Sequence, residues 1–294
     1  MKIQEENNDP QYGPSANAAQ EGAAHVGGAQ AISRAMVVLR GVARMRGEGA
    51  GLLALTRATG MSKPTVHRLL AALAAEGMVE QDLSSRRYFL GSECHVLGNL
   101  ASERFGINRR AAPVVARLAH ECGDSAFFSV RRDVFAVCVL REDGDCPLKT
   151  HALLPGDRHP LGVGAGSLAI LAALRDEEVE ECLRANADLI AARYPHYSVP
   201  LIRNLVNEVR ERGYAVNRGL VVPGSWGIGM ALLDADGGVL GALSIAAVES
   251  RMENEDRQSQ LAKLLSREAK RLQAQSNPGD RQARARPPVP KLKP

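Results

Sequence analysis

The stretch from Leu52 to Gly91 constrains the fold most, because its pattern predicts a short helix, a glycine turn, a second helix and a two-stranded wing. The second helix begins after Ser62, a residue typical of an N-cap, and carries Pro64 in its first turn, where a missing N–H removes no hydrogen bond. Its apolar side chains recur at spacings of three and four residues, which places one face in a core: Val66, Leu69, Leu70 and Leu73.

The remaining face of the second helix carries small, basic and hydrogen-bonding side chains. A helix of this kind, preceded by a helix and a glycine turn, is suited to the major groove of DNA. Two arginines begin the return strand of the wing, from which they can reach a phosphate or the minor groove. We therefore expect DNA contacts from Ser62, Lys63, Thr65, His67, Arg68, Arg86 and Arg87. The alternative is an amphipathic helix whose basic face simply meets solvent.

The distribution of charge favours the DNA-binding interpretation. Residues 31–90 hold nine Lys and Arg against four Asp and Glu, a net charge of +5, whereas the whole chain of 294 residues carries only +4. A basic module of this kind is typical of nucleic-acid binding.

The same stretch resembles the DNA-binding domain of the IclR family of bacterial transcriptional regulators. The resemblance rests on four collinear segments: RATG at residues 57–60, KPTVHRLL at 63–70, GMV at 77–79 and YFLG at 88–91. One departure is the start of the first helix of the motif, where the family usually has a Ser or Thr cap and this chain has Gly51 followed by two leucines.

The second half of the chain predicts a different architecture. Hairpin-like strands alternate with amphipathic helices, and residues 148–153 are predicted as a third strand, which together favour an α+β domain. The resemblance, which continues to about residue 272, implies a GAF-like effector-binding domain. The predicted organisation is a disordered tail (1–30), a winged helix-turn-helix domain (31–91), a linker helix (92–107), the GAF-like domain (108–274) and a basic, proline-rich disordered tail (275–294).

A glycine-rich loop, PLGVGAGSL at residues 160–168, is the predicted ligand site of the second domain. Glycines at alternate positions before a helix let bare backbone approach a bound group, and the helix N-terminus favours an anion. Taken alone, a turn that only lets the helix pack closely is the better interpretation of this loop.

In IclR relatives the corresponding loop contacts a small organic acid, together with residues of later strands. Carried onto this chain, the resemblance implies an effector site at Leu161, Gly162, Gly164, Ala165, Gly166, Asn217, Gly227, Ser244 and Ala246. Several positions depart from the family pattern: Arg218 and Gly219 replace acidic residues, and Gly227 and Ala246 replace Cys and Ser. We expect Arg218 to favour an anion and the smaller side chains to enlarge the site, so the predicted effector is a small carboxylic acid with an apolar or aromatic body.

No chemistry-bearing motif predicts an enzyme. The five cysteines show no CxxC spacing, and the histidines belong to no nucleophile, metal or acid–base motif, so we expect neither a metal nor a cofactor. The first residues lack the layout of a signal peptide and no apolar run reaches membrane-spanning length, which predicts a cytoplasmic protein that does not bind membranes.

Two hypotheses follow. The first is a homodimer or homotetramer that binds a double-stranded DNA operator with an affinity modulated by the organic acid. The second is a small-molecule-binding module or enzyme that has kept a vestigial helix-turn-helix. The basic face around Lys63, Thr65 and Arg68 favours the first, since a vestigial motif has no use for it.

Overall fold

The structure, a computed structural model, describes residues 29–45, 47–102, 106–149 and 153–274. Of the tail predicted over 1–30, residues 1–28 lie outside this range and the last two begin a helix; the predicted tail 275–294 lies wholly outside it. The N-terminal elements are α1 (Ala29–Arg44), α2 (Leu52–Thr59), α3 (Lys63–Ala75), β1 (Val79–Gln81), β2 (Tyr88–Leu90) and α4 (Ser92–Ser102).

The first three helices and the β1–β2 hairpin form a winged helix-turn-helix. Gly60 ends α2 in the left-handed conformation (φ 67°) and donates its N–H to the Thr56 carbonyl, which turns the chain into α3. A small core lies between the three helices and the wing, and its members are Val38, Leu39, Val42, Ala50, Leu55, Val66, Leu70, Leu73, Val79 and Tyr88. The predicted helical face of α3 is thus the face that packs.

The second half of the described chain forms an α+β domain. Its helices are α5 (Gly106–Cys122), α6 (Ala165–Ala172), α7 (Asp176–Arg193), α8 (Val199–Arg212), α9 (Glu249–Met252) and α10 (Glu255–Ala274). Its strands are β3 (Ser125–Arg132), β4 (Phe135–Asp143), β5 (Arg158–Pro160), β6 (Ala215–Val222), β7 (Ser225–Leu233) and β8 (Val239–Val248). Within the described residues these strands form one antiparallel sheet in the order β5-β4-β3-β8-β7-β6.

Helices cover both faces of this sheet. On one face α5 and α10 pack against alternate residues of β3, β7 and β8, such as Phe128, Ile228 and Leu243. On the other face α6, α7 and α8 form a second core that meets the sheet at small residues, including Ala215 and Ala242. The α+β fold class predicted from the sequence is confirmed.

The third strand lies later in the chain than predicted. Residues 145–149 are irregular, residues 150–152 of the predicted strand lie outside the described residues, and the described strand that pairs with β4 is Arg158–Pro160. The reason is a turn at Leu154–Asp157, in which Gly156 has φ 93° and Asp157 returns its N–H to the Leu154 carbonyl. After this turn the chain meets β4 in regular pairing.

Candidate DNA-binding surface and effector cavity

The N-terminal face of α3 presents the predicted DNA-contacting side chains to solvent. Lys63, His67 and Arg68 are exposed, while Val66 and Leu70 lie buried on the opposite face. No acidic residue occurs between positions 63 and 75. A solvent-facing helix with this charge has the properties that a recognition helix needs.

Ser62 occupies the N-cap position of α3 but makes no capping hydrogen bond to the helix backbone. Its hydroxyl instead pairs with the Thr65 hydroxyl at 2.8 Å. The backbone N–H groups of Lys63 and Thr65 in the first turn consequently receive no hydrogen bond from the Ser62 side chain. Free N–H groups at a helix N-terminus are suited to a phosphate.

The two wing arginines differ in their surroundings. Arg87 donates from Nη1 to the carbonyls of Glu48 and Gly49, each at 3.1 Å, and so ties the wing to the loop before α2. Arg86 is exposed and adopts a positive φ of 58°. Arg86 is therefore exposed on the wing, whereas Arg87 has a structural role that the sequence did not predict.

The tip of the wing is held by one carboxylate. Oδ1 of Asp82 accepts hydrogen bonds from the hydroxyls of Ser84 and Ser85 and from the Ser85 N–H, at 2.6 to 2.7 Å. These hydrogen bonds lower the pKa of Asp82 to about 2. The turn that presents Arg86 is thus a closed, hydrogen-bonded loop.

A cavity of about 600 Å³, including its open mouth, lies between α6 and the sheet. We call it the effector cavity. Cross-strand register explains why residues distant in sequence meet there: Ala246 of β8 pairs with Gly227 of β7, which pairs with Asn217 of β6. In a neighbouring row Phe127 of β3 pairs with Ser244. Residues in one row of a sheet point to the same face, and here this face is the cavity wall.

The glycine-rich loop and the first turn of α6 form another wall. Gly164 has φ 85° and donates its N–H to the Tyr197 hydroxyl at 3.0 Å, and the first intrahelical bond runs from Leu168 N–H to the Gly164 carbonyl. Ala165, Gly166 and Ser167 are the residues of the open first turn, whose N–H groups a helix cannot pair internally. All three line the cavity.

Seven of the nine predicted effector residues line the cavity, namely Gly164, Ala165, Gly166, Asn217, Gly227, Ser244 and Ala246. The other two differ from the prediction. Leu161 is fully buried in the core between α6, α7 and α8, and an added Cβ at Gly162 would lie 2.5 Å from Ile202 Cγ2. Both residues precede the point at which Gly164 turns the chain into α6, so they pack behind the wall.

Arg218 also differs from the prediction. Because side chains alternate along β6, Asn217 points into the cavity and Arg218 points out, where its guanidinium lies 5.9 Å from the Trp226 ring centroid. No Asp, Glu, Lys or Arg lines the cavity in the described part of the chain. An anion held there would meet dipoles rather than a counter-ion.

Ser167 belongs to the predicted loop 160–168, whereas several other cavity residues were not predicted from the sequence: Phe127, Ser129, Cys138, Leu153, His159 and Trp226. Burial lowers the pKa of the His159 imidazole below its usual value, although the charge of Asp157 and a hydrogen bond with the Val163 backbone oppose this shift. The only sequence signal for these residues was an alternation of side chains along strands, which does not reveal which face borders a cavity.

Among the residues that the structure describes, no group of three or more His, Cys, Asp and Glu side chains could hold a metal ion. Nor does any helix within the same ranges have the length and apolarity needed to cross a membrane.

Comparison with known proteins identifies both halves. Residues 31–83 match the IclR helix-turn-helix domain, and residues 100–273 match the model for the bacterial transcriptional regulator IclR C-terminal domain. The chain is 28% identical over 240 residues to the HTH-type transcriptional regulator BhcR of Paracoccus denitrificans, covering 79% of this chain and 82% of the relative. It is 29% identical over 206 residues to the regulator KipR of Bacillus subtilis, covering 69% and 80%.

Solved structures share the fold. An IclR transcriptional regulator from Alicyclobacillus acidocaldarius superposes with a TM-score of 0.67 at 24% identity, over 84% of this chain and 98% of that one. An IclR homologue from Microbacterium hydrocarbonoxydans, solved in complex with 4-hydroxybenzoate, superposes with a TM-score of 0.64 at 18% identity, over 83% and 98%. With both of its domains matched in order, the chain belongs to the IclR family of bacterial transcriptional regulators.

Proposed function

We propose that this regulator binds a double-stranded operator through α3 and the wing, and that a small organic acid in the effector cavity changes its operator affinity. The observation that carries the proposal is the cavity itself, in which the open first turn of α6 faces apolar walls with no fixed charge. Two sites on one chain, one for DNA and one for a ligand, are the elements that allosteric regulation requires.

The chemistry of the cavity favours a carboxylate. The N–H groups at the start of α6 supply donors and a partial positive charge, and the hydroxyls of Ser129 and Ser244 lie beside Gly166, 3.9 and 3.1 Å from where its Cβ would be. Phe127 and Leu153 supply apolar surface for the body of the ligand. The 4-hydroxybenzoate complex of the Microbacterium relative supports an acid of this class.

Binding of acids is tested by thermal shift. Benzoate and 4-hydroxybenzoate should raise the melting temperature, while benzamide should raise it less because an uncharged amide gains less from the helix dipole. Ser244→Ala should weaken the effect of benzoate, whereas Ser250→Ala, at an exposed position on α9, should not. Indifference of the wild type to aromatic and aliphatic acids alike would reject this effector class.

The DNA half is tested with fluorescence anisotropy across a salt series, on the protein's own upstream DNA and on a scrambled duplex. We expect sequence-selective binding that weakens steeply with salt, and Arg68→Ala should lower affinity by about tenfold and reduce the salt slope by about one. Arg184→Ala, which removes an exposed arginine from α7, is the matched control. Equal weak binding to both duplexes, unchanged by Arg68→Ala, would favour the alternative of a ligand-binding module or enzyme with a vestigial helix-turn-helix.

The oligomeric state proposed for this function is a homodimer or homotetramer. Large apolar side chains lie exposed on α1 and α4: Ile32, Met36, Val96, Leu97 and Leu100. A second copy that covers them would also place two α3 helices on one operator. Light scattering should give the mass of two or four protomers, and Leu97→Glu with Leu100→Glu should reduce it.

A further inference from the structure

One segment of the second domain both borders the effector cavity and reaches the DNA-binding domain. We call residues 153–160 the strap. Leu153, near its start, and His159, near its end, line the cavity. The Leu153 carbonyl accepts a hydrogen bond from Arg141 Nη1 at 3.1 Å, and Arg141 in turn lies over the ring of Phe127, a cavity residue. The strap is therefore part of the cavity wall at both ends.

Asp157 fixes the middle of the strap. Its carbonyl accepts the Cys138 N–H of β4 at 3.0 Å, and its Oδ2 accepts the Leu154 N–H at 2.8 Å. The neighbouring Gly156 N–H returns to the Cys138 carbonyl at 2.8 Å. Because Cys138 also lines the cavity, the position of the Asp157 carboxylate depends on the same strand that borders the ligand site.

The other carboxylate oxygen of Asp157 contacts the DNA-binding domain. Oδ1 pairs with Nη2 of Arg44, in the last turn of α1, at 3.1 Å. The two side chains are only 23% and 20% exposed, so water screens the pair less than it screens an open surface pair. Arg40 lies close enough to Arg158 and Arg44 for their charges to interact. Burial, together with the charges of these two guanidinium groups, lowers the pKa of Arg40. Of these cations, Arg44 is the one whose guanidinium pairs with Asp157.

A second set of contacts joins the strap to the glycine-rich loop. The His159 ring meets Tyr194 edge-on at 6.1 Å between centroids, and Tyr194 meets Tyr197 in the same manner at 6.3 Å. The Tyr197 hydroxyl accepts the Gly164 N–H at the start of α6. A ligand that shifts the start of α6 thus acts on the strap through packed aromatic rings as well as by direct contact.

We propose that the Arg44–Asp157 ion pair couples the effector cavity to the DNA-binding domain. Occupation of the cavity displaces the strap, and Asp157 transmits that displacement to the end of α1, the helix against which α2 and α3 pack. This inference rests on the proposed function for the identity of the ligand. The coupling itself is a property of the free protein and is tested without any ligand.

The first test is a double-mutant cycle on operator affinity in the ligand-free, full-length protein, with an operator selected by the protein from a randomised duplex pool. Asp157→Asn removes the charge but keeps an oxygen for the Leu154 N–H, and Arg44→Gln removes the partner. Each should change operator affinity three- to tenfold in the same direction, and the double variant should match either single one. Arg203→Gln, which breaks the Arg203–Glu180 pair within the second domain, should stay within twofold of wild type.

Two results of this cycle would overturn the proposal. One is an operator affinity unchanged by Asp157→Asn. The other is an effect of Arg44→Gln that adds to that of Asp157→Asn, because Arg44 would then act on a DNA phosphate independently of the strap.

The second test measures the ratio of operator affinities with and without saturating benzoate. We expect the ratio to fall to within twofold of unity in Asp157→Asn, while benzoate still raises the melting temperature of that variant. A ratio equal to that of the wild type would reject the coupling and leave effector binding standing. If benzoate and 4-hydroxybenzoate shift no melting temperature in the wild type, the proposed effector class fails, and the ligand-free cycle alone decides the coupling.

Discussion

At the scale of single residues, Gly229 controls how closely α6 approaches the sheet. A Cβ at this position of β7 would lie 2.6 Å from the Ala165 carbonyl oxygen and 2.9 Å from the Gly166 nitrogen, both backbone atoms of the first turn of α6. We expect Gly229→Ala to lower the free energy of unfolding by about 2 kcal/mol, because the helix must move to admit the methyl group. Urea denaturation measures this change.

A second glycine provides the control. Gly98 lies inside α4, and a Cβ there would meet nothing within 4 Å. Gly98→Ala should raise the free energy of unfolding by about 0.5 to 1 kcal/mol through helix propensity. Equal stability of Gly229→Ala and the wild type would show that the close approach of α6 to β7 is not constrained as described.

At the scale of elements, the two adjacent arginines of the wing have different roles. Arg87→Ala should destabilise the DNA-binding domain by about 1 kcal/mol, since the carbonyls of Glu48 and Gly49 lose their guanidinium partner. Arg86→Gly should preserve or raise stability, because glycine adopts the positive φ of this position without strain, yet it should weaken operator binding. Thermal unfolding and anisotropy on the same two variants check both statements, and loss of stability in Arg86→Gly would contradict them.

A second pair of elements, α5 and α10, is joined by a buried carboxylate. Glu268 of α10 is fully buried and receives hydrogen bonds from Arg117, Arg267 and Arg271 at 2.7 to 3.2 Å. Burial alone would raise the pKa of Glu268, but the hydrogen bonds and charges of these arginines hold it below its usual value.

This lowered pKa predicts a pH dependence. A carboxylate whose pKa is lower in the folded than in the unfolded protein stabilises the fold above the unfolded pKa, about 4.3, and that contribution disappears as pH falls through the folded pKa. Glu268→Gln should therefore cost about 2 kcal/mol at pH 7 and progressively less below pH 4. Urea unfolding at several pH values measures the difference, with the exposed Glu208→Gln as control. A pH-independent difference would contradict this role.

At the scale of the whole molecule, the sequence predicted those features that depend on residues close together in the chain. The helix spacing of Val66 and Leu70, the turn at Gly60 and the α+β class of the second domain follow from periodicity and resemblance, and the structure has them. The cavity depends on pairing between strands more than ninety residues apart, such as Ser125 with Ala246. The alternation of side chains along one strand does not show which face of the sheet borders a helix N-terminus. For this reason the sequence predicted Arg218 in the effector site and did not predict His159 there.

The two faces of β8 also bear on how a regulator of this architecture can diverge. Leu243 and Ala247 face the core with α5 and α10, whereas the alternate residues Ser244 and Ala246 face the cavity. Substitutions at the second pair alter what the cavity recognises without removing apolar contacts that hold the fold. Mutation along this single strand can therefore change the chemistry of the cavity while the scaffold stays the same.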